Sequence, residues 1–333
     1  MIRLSAAPLR LSALAGLGLF AAAQSAHATP TDAELLGGFN AIVDNTYSSN
    51  SESEGPLLLG GNFAGFNQAG FNGGPVAPAA ASLAGYGTLN IYGNASGTAN
   101  MNGNGRTVFV GGNYTGNYGG GAAVTQHYSF PYTMASLYAQ MTSLSSSLSA
   151  LGTSVGTNFA GNTINAAPTT VNGVANAAVL DITGTQLQSL NTNGSSGGVN
   201  LNGALALVVN VDLQGAGLTL SNNFNALSSG YTSDVVWNFY DSGSGALSFA
   251  SEFGGTVLAP TMNVSTTGQP IDGTVVALNL TTNGELHWHP ADAPVGALVN
   301  TFGVTPTAVP EPAGLAVLGA AVLGLGLVRR RRA

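Results

Sequence analysis

Apolar and polar positions along the chain follow two different periods. In residues 57–65, 89–97 and 107–116, a short aliphatic run leads into Gly-Asn and then a second glycine. We call these the GGN units, although the second has Tyr92 in place of the first glycine. The asparagines of these three units are 32 and 19 residues apart, and a similar unit at Gly255 recurs 18 residues later at Gly273. Strand, glycine corner and strand at a period near 18 to 19 predict the stacked coils of a β-solenoid.

Glycine and asparagine have distinct expected roles in such coils. Each coil buries an inward row of aliphatic side chains, and glycine adopts corner conformations that other residues avoid. Asparagine tolerates left-handed turn geometry, and its amide can bond to the next asparagine along the axis. The alternative is a β-sandwich, since Gly-Asn is also a common hairpin turn.

A helical period separates two strand-rich regions. From Phe130 to Leu151, apolar side chains recur at steps of four and three, which predicts one long amphipathic helix over about 131–151. Ser129 is the expected cap and Gly152 the expected stop. We expect this helix to pack along the solenoid and protect strand edges; a membrane or partner helix is the alternative. Further strand-like runs follow at 178–182, 205–211 and 235–239.

The predicted fold is therefore mainly β. Its body is a β-solenoid, specifically a right-handed β-helix, with the long amphipathic helix packed alongside. The β-sandwich remains the alternative architecture.

The front of the chain has the pattern of a secretory signal peptide. Arg3 and Arg10 precede or flank an apolar run over 11–23, and Ala26-His27-Ala28 fits the small-x-small pattern before a cleavage point. We therefore expect residues 1–28 to be removed and the mature chain to begin near Thr29.

The C-terminal part of the sequence has the pattern of a second targeting signal. Residues 313–328 are uncharged and apolar, slightly short of a usual bilayer span, and four arginines follow, which would face the cytoplasm. This stretch, 310–333, resembles the PEP-CTERM sorting signal of Gram-negative bacteria. The resemblance implies transient anchoring in the inner membrane and processing by an exosortase; a permanent single-span anchor is the alternative. The residues that carry it are Val309, Pro310, Glu311, Pro312, Arg329, Arg330, Arg331 and Arg332.

The net charge of the region between the two signals limits the kinds of partner that it can bind. Between the two signals, thirteen carboxylates stand against one cation, Arg106. Such a body repels phosphate backbones, so we expect no nucleic-acid binding. The chain has no cysteine, which excludes disulfides and thiol chemistry.

The order of the parts resembles a known family of surface domains. The GGN strands, the helix, Val236-Trp237-Asn238-Phe239, the run 255–260 and finally Gly284-Glu285-Leu286-His287 are similar to the choice-of-anchor A domain over roughly 35–290. We therefore assign 29–290 to the domain and 291–309 to a linker. The resemblance implies an extracellular adhesive or matrix-forming module. The plan of a helix beside a solenoid also resembles bacterial ice-binding proteins.

Candidate chemistry is sparse. Glu285, His287 and His289 would share one side of a strand and could bind a metal, but a structural role in the last coil is the favoured interpretation. We expect a solvated acidic rim to be formed by Asp32, Glu34, Glu52 and Glu54. No nucleophile elbow, phosphate loop or His-Glu-x-x-His is present, and we expect no cofactor.

The favoured function is a non-enzymatic surface or biofilm-matrix protein that binds exopolysaccharide or other cell-surface glycans. Tyr86, Tyr92, Tyr114 and Tyr118 are the candidate ligand-binding residues, because aromatic rings stack on sugars. One alternative is a solenoid polysaccharide lyase or hydrolase, for which Arg106 is the sole basic candidate in the body. A second is ice binding, although the pairs Thr266-Thr267 and Thr281-Thr282 are too few for a flat threonine array.

Overall fold

The computed structural model describes residues 28–302, apart from 65, 70–73, 102–104, 191–197, 223, 225–231 and 242–244. Most of the predicted leader, including Ala26, and the whole of 309–333 lie outside the described residues, so both sorting signals stay predictions. Within the described ranges, no helix combines the length and apolar character needed to cross a bilayer.

Strands account for 40% of the described residues and helices for 16%, which confirms the mainly β prediction. The described strands before the long helix are β1 (Ala41–Val43), β2 (Tyr47–Ser49), β3 (Glu52–Ser53), β4 (Leu57–Leu59), β5 (Phe66–Ala69), β6 (Leu89–Ile91), β7 (Thr98–Met101), β8 (Thr107–Val110), β9 (Asn117–Gly119) and β10 (Ala123–Gln126). All three GGN units therefore begin in strands, as predicted.

The strands after the long helix are longer on average. They are β11 (Asn158–Ala160), β12 (Thr163–Asn165), β13 (Thr169–Val171), β14 (Val174–Thr183), β15 (Val199–Asn200), β16 (Ala206–Asp212), β17 (Leu218–Leu220), β18 (Val235–Tyr240), β19 (Ala246–Phe249), β20 (Phe253–Gly254), β21 (Thr256–Thr266), β22 (Ile271–Asp272), β23 (Val275–Thr282) and β24 (Leu286–His287). The helices are α1 (Asp32–Gly38), α2 (Met134–Ser149), α3 (Gly184–Gln188) and α4 (Ala293–Asn300).

Parallel pairing dominates the two large sheets. The first has the order β10-β8-β6-β4-β1-β23-β21-β18-β16-β14-β13 and the second the order β20-β22-β24-β3-β5-β7-β9. Within both, β13 with β14 is the antiparallel exception among the described pairs. In-register parallel stacking favours the solenoid interpretation over an antiparallel sandwich. The handedness of the path stays a prediction.

The first described strand, β1, lies in the middle of the long sheet, and the strands that follow it are arranged in two separate halves. β1 pairs with β4 on one side and with β23 on the other. The first half proceeds outward through β4, β6 and β8 to β10, whereas the second returns from β14 through β16, β18 and β21 to β23. The strands that meet at β1 and β23 are more than 230 residues apart in sequence.

Helix α2 connects these two halves. At 1.5 Å per residue, its 16 residues span about 24 Å, or roughly five strands at about 4.8 Å each. It packs on β16, β18 and β21. The predicted packing against the sheet is therefore confirmed, but α2 covers the face of interior strands and not a strand edge. The helix is also the return connection of the chain.

The bounds of α2 differ from the prediction. The helix begins after Thr133, whose hydroxyl accepts from the backbone N–H of Ser136 at 3.2 Å, so Ser129 is not its cap. Phe130 lies outside the helix and stacks on Tyr92, with 4.1 Å between ring centroids. Phe130 packs against the same outer apolar cluster as the apolar side of α2, which is why its spacing continues the stripe.

Two apolar layers surround the long sheet. The inner layer fills the space between the sheets and includes Trp237, Phe253 and Leu286, all fully buried. The outer layer lies between the sheet and helices α1, α2 and α4. Helix α4 falls in the predicted linker 291–309, but Val295 and Leu298 are buried in this layer, so the domain extends beyond residue 290.

Glycine is required at the GGN corners for a different reason from the predicted one. A Cβ added at Gly93 would lie 2.6 Å from the carbonyl oxygen of Gly61, and one at Gly111 would lie 2.5 Å from that of Tyr92. Neither glycine has a positive φ. Close approach of the neighbouring coil, and not left-handed geometry, therefore excludes side chains there.

Candidate functional site

One long face of the stack carries two rows of small polar side chains, which we call the ladder face. It is formed by β17, β19, β2, the later parts of β21 and β23, and the single bridges at Phe63, Ala95 and Tyr114. Strand register aligns the outward positions of successive coils, because parallel strands here pair residue for residue.

The first row is mostly asparagine. Asn263 pairs with Asn279, and the register then carries the row through the next four coils. In axial order its members are Asn263, Asn279, Thr46, Asn62, Asn94 and Asn113. Of these, Asn279 is half-buried and the others are exposed.

The second row is two residues further along each coil and is mostly serine and threonine. In axial order its members are Thr219, Ser248, Ser265, Thr281, Ser48, Ala64, Ser96 and Thr115. Each is exposed or half-buried. Residues two apart on a strand are about 6.6–7 Å apart, and strands about 4.8 Å, so the two rows form a regular lattice without a charged member.

Hydrogen bonds along the axis fix the asparagine row. Oδ1 of Asn263 accepts from the amide of Asn279 at 2.6 Å, and Oδ1 of Asn279 accepts from the backbone N–H of Thr46 at 3.0 Å. Further along, Oδ1 of Asn62 accepts from the backbone N–H of Asn94 at 2.7 Å. Asn94 repeats this bond to Asn113 at 2.9 Å.

These bonds only partly match the role predicted for asparagine. Bonding between asparagines along the axis is confirmed, but Asn62, Asn94 and Asn113 do not have positive φ. Asn62 and Asn94 instead accept from the backbone of the next coil. Their orientation is therefore set before any ligand arrives.

Apolar side chains support the ladder face from inside. Leu247, Val264 and Leu280 are buried directly beneath it, and Tyr47 stacks on Phe63 with 6.0 Å between ring centroids. Because the interior is close-packed, the rows are held on a stiff platform.

The sequence prediction missed this face. The adjacent pairs Thr266-Thr267 and Thr281-Thr282 each include one inward residue, because Thr266 and Thr282 are buried. Only alternate positions of a strand share a face. Alignment of the coils at a step of two, comparing Asn94-x-Ser96 with Asn113-x-Thr115, is the signal that reveals it.

The candidate tyrosines lie in two packed pairs. Tyr86 is only 4% exposed, and its hydroxyl lies 3.0 Å from that of Tyr92, which donates to the carbonyl oxygen of Tyr132 at 2.7 Å. Burial raises the pKa of Tyr86 to about 12. Both rings stack on Phe130, so this pair belongs to the outer apolar layer.

The second pair, Tyr114 and Tyr118, packs against the inner core with 5.0 Å between ring centroids. The hydroxyl of Tyr118 is buried and has no hydrogen-bond partner among the described residues. Burial raises the pKa of Tyr118. Sugar binding by the four tyrosines stays a prediction, while their visible contacts are those of packing residues.

The seven-stranded sheet carries an acidic cluster around one histidine. His287 lies 2.5 Å through Nδ1 from Oδ1 of Asp272 and 2.8 Å through Nε2 from Oε2 of Glu285. The hydrogen bond to Asp272 raises the pKa of His287 to about 9, against the opposing effect of burial. At neutral pH the ring is an imidazolium that donates to both carboxylates.

Two more carboxylates adjoin this cluster from β3 and the residue after it. Glu54 accepts from the backbone N–H of Trp288 at 2.7 Å. Burial, followed by repulsion from Glu285, raises the pKa of Glu52 to about 7. The solvated acidic rim is therefore wrong for Glu52, which is 9% exposed, and also for Asp32, which is 1% exposed.

The candidate metal ligands Glu285, His287 and His289 are not arranged as the alternation of a strand predicts. Glu285 and His287 are adjacent, but both ring nitrogens of His287 face carboxylates, and His289 lies beyond β24. Among the described residues, no three His, Cys, Asp or Glu side chains converge as metal ligands would.

Arg106, the cation that the lyase alternative requires, has a structural position. The residue is 6% exposed, and its Nη1 donates to the carbonyl oxygens of Gly74 at 3.0 Å and Pro75 at 2.9 Å. It thereby fixes the segment before β6. Burial lowers its pKa.

The described residues form a mainly β domain with a neutral polar face. A family model described as "Putative Ice-binding-like adhesive domain" matches residues 32–288, most of the chain, and the chain belongs to that family. No curated protein matches it, and no solved structure matches it. Its family is one of adhesive domains, which are typical of the cell surface and extracellular space.

Proposed function

We propose that the chain is an exported, non-enzymatic protein that adheres to extracellular polysaccharide through the ladder face. The observation that carries this proposal is the pair of rows of small, uncharged polar side chains held in register over successive coils. A flat, repeated and rigid surface suits a ligand that is itself extended and repeated.

The chemistry of the rows favours a neutral, hydroxyl-rich ligand. Asparagine, serine and threonine each supply both donors and acceptors, as sugar hydroxyls do. No member of either row is charged, so the face has no group that selects an anion or a cation. Individual contacts would be weak, and binding would depend on many of them forming at once.

Retention on polysaccharide tests this proposal. The purified protein would be passed over immobilised exopolysaccharide from the producing strain at high and low salt. We expect retention that changes little with salt, because the face is neutral. Absence of retention on any polysaccharide of the producing strain would contradict the proposal.

Ice is the second candidate ligand, and the regular spacing of the rows favours it. Side chains at about 4.8 Å along the axis and about 7 Å across it present the periodic array that a crystalline surface could match. Measurement of thermal hysteresis and ice recrystallisation separates the two candidates. Activity in both assays supports ice, and inactivity leaves polysaccharide as the ligand.

Export and sorting complete the proposal. The leader over 1–28 and the tail over 310–333 would direct the chain through the secretion machinery and then to an exosortase, with transient anchoring in the inner membrane. Mass spectrometry of the protein from its own cell would find a product that begins near Thr29 and lacks Arg329 to Arg332. A product that retains those arginines would contradict the processing step.

Within the adhesive class, we propose that the domain is of the choice-of-anchor A type. The support is the order of the GGN strands, the long helix and the final Glu-x-His. Fractionation of cells with and without the exosortase tests the associated sorting. We expect the protein at the surface or in the matrix only when the enzyme is present.

A further inference from the structure

The Asp32 carboxylate is buried without a hydrogen-bond donor. It is the first residue of α1 and is 1% exposed, and neither of its oxygens accepts a hydrogen bond within the described part of the chain. A carboxylate in this position costs free energy, and burial raises the pKa of Asp32 to about 6. The nearby Gln140 amide opposes that rise, but it donates to the carbonyl oxygen of Pro30 at 2.9 Å.

The backbone just before Asp32 is held in place next to it. Gln140 donates to the carbonyl oxygen of Pro30, a contact that the processed chain keeps. The Tyr132 hydroxyl donates to the carbonyl oxygen of Ala28 at 2.7 Å, and that contact is lost when the leader is removed. Thr31 caps the helix in a reciprocal pair of bonds with Glu34. The nitrogen of Thr29 therefore belongs to a fixed segment only three residues from Asp32.

We propose that the α-ammonium group of Thr29, created when residues 1–28 are removed, is the partner of the Asp32 carboxylate. This inference rests on the export proposed above, because Ala26-His27-Ala28 is the predicted cleavage signal. Cleavage replaces an amide with one N–H by an ammonium with three donors and a positive charge. Attraction between opposite charges is strong where water is excluded.

The consequence is a link between processing and stability. The unprocessed chain contains an uncompensated buried carboxylate, and the processed chain would pair that carboxylate with the ammonium group of half-buried Thr29. Signal cleavage would therefore stabilise the folded domain only when it occurs directly before Thr29. Cleavage at another residue would move the new charge away from Asp32.

Glu34 is the competing partner, and it provides a matched control. It lies in the same helical turn, but Oε2 of Glu34 already accepts from the backbone N–H of Thr31 at 2.7 Å, and the residue is half-exposed. Glutamine at this position can maintain the capping bonds. Glu34→Gln therefore removes one negative charge from the same turn without removing the cap.

The test is a thermodynamic cycle that combines acetylation of the amino terminus with substitution of Asp32. The chain from Thr29 to Ala333 would be prepared with a free or an acetylated amino terminus, in the parent, Asp32→Asn and Glu34→Gln backgrounds, in one mild detergent. Urea unfolding at pH 7 gives the unfolding equilibrium constant. We expect acetylation to raise this constant about tenfold in the parent, as for a pKa change of about one unit, and less than about twofold in Asp32→Asn.

Glu34→Gln should preserve the tenfold effect of acetylation. The pKa of the Thr29 amine, followed by NMR, should exceed the ordinary range of about 7.7–8.0 in the parent and return to it in Asp32→Asn. Equal acetylation effects in the parent and Asp32→Asn would overturn the pair, as would loss of the effect in Glu34→Gln. N-terminal sequencing of the exported protein separates the two proposals. A mature protein that begins elsewhere than at Thr29 overturns the proposed cleavage site. Equal effects of acetylation with and without Asp32 overturn only the proposed ion pair.

Discussion

The side-chain amide of Asn238 donates to Oδ1 of Asn210 at 2.9 Å, on the adjacent strand beneath α2. Asn238 also donates to the carbonyl oxygen of Ser145 at 2.9 Å, and Asn210 donates to that of Leu148 at 2.7 Å. Both asparagines are fully buried. This pair fixes the position of α2 on the sheet, because each side-chain amide donates a hydrogen bond to one backbone carbonyl oxygen of the helix.

Asn238→Leu should destabilise the domain by about 2–3 kcal/mol, since it leaves two buried acceptors, on Asn210 and Ser145, without a donor. Urea unfolding at neutral pH measures the effect. Asn117→Leu is the control, because Asn117 is exposed on β9 and a surface change of this kind costs less than about 0.5 kcal/mol. Equal losses in the two variants would contradict the role of the buried pair.

The apolar side of α2 should also contribute strongly to stability. Leu144 is 1% exposed in the outer apolar layer, so Leu144→Ala should cost about 2–5 kcal/mol. Ser146→Ala, on the exposed side of the same helix, should be close to neutral. Thermal unfolding of both variants tests this prediction, which fails if the two midpoints coincide.

The close approach between coils predicts a marked difference between two glycines. A Cβ at Gly93 would lie 2.6 Å from Oδ1 of Asn62, whereas one at Gly152 would meet no atom within 4 Å. Gly93→Ala should therefore destabilise the protein by more than about 1 kcal/mol, and Gly152→Ala should not. Denaturant midpoints compare them, and a tolerated Gly93→Ala would show that the coils can separate locally.

Stability should fall as the pH rises through the neutral and mildly alkaline range. The folded-state pKa of Glu52, about 7, is above its ordinary value of 4.5. Its contribution to the free energy of unfolding is therefore complete below about pH 4.5 and is lost as the pH rises through 7. The folded-state pKa of His287, about 9, is above 6.5, so its contribution is present below 6.5 and is lost as the pH rises through 9.

Urea midpoints at pH 5, 7 and 10 measure this dependence. Glu52→Gln should flatten the curve between pH 5 and 8, and His287→Gln should flatten the part through pH 9. If both variants retain the pH profile of the parent, the acidic cluster does not have the charge states that its geometry implies.

Local patterns in the sequence predicted the elements better than their arrangement. The stripe in α2 and the GGN strands were found because their periods repeat within a few residues. The pairing of β1 with β23 could not be predicted, since it joins Ala41 to Val275 and no local pattern reports so distant a contact. The apolar α4 was assigned to a linker because eight residues carry too little periodicity to distinguish them from a loop.

The candidate site was harder to predict than the fold. Each coil contributes only two small polar residues to the ladder face, and a pair such as Asn94 and Ser96 has no significance by itself. The face exists only when the register stacks the coils. Aromatic residues drew attention because they often bind sugars, yet Tyr86 fills a core here, as large apolar rings usually do.

The central claim is that the protein adheres to polysaccharide through the ladder face. The most direct test places one bulky side chain on that face and another on a neighbouring face. Ser96 and Thr98 are both exposed and are two residues apart, but Ser96 lies in the ladder face and Thr98 points outward from β7 in the other sheet. Retention of Ser96→Trp and Thr98→Trp on exopolysaccharide of the producing strain would be compared with that of the parent. Loss of retention, by about tenfold or more in affinity, in Ser96→Trp but not in Thr98→Trp is the predicted result. Unchanged retention of Ser96→Trp, or loss in Thr98→Trp alone, would show that adhesion does not occur through the ladder face.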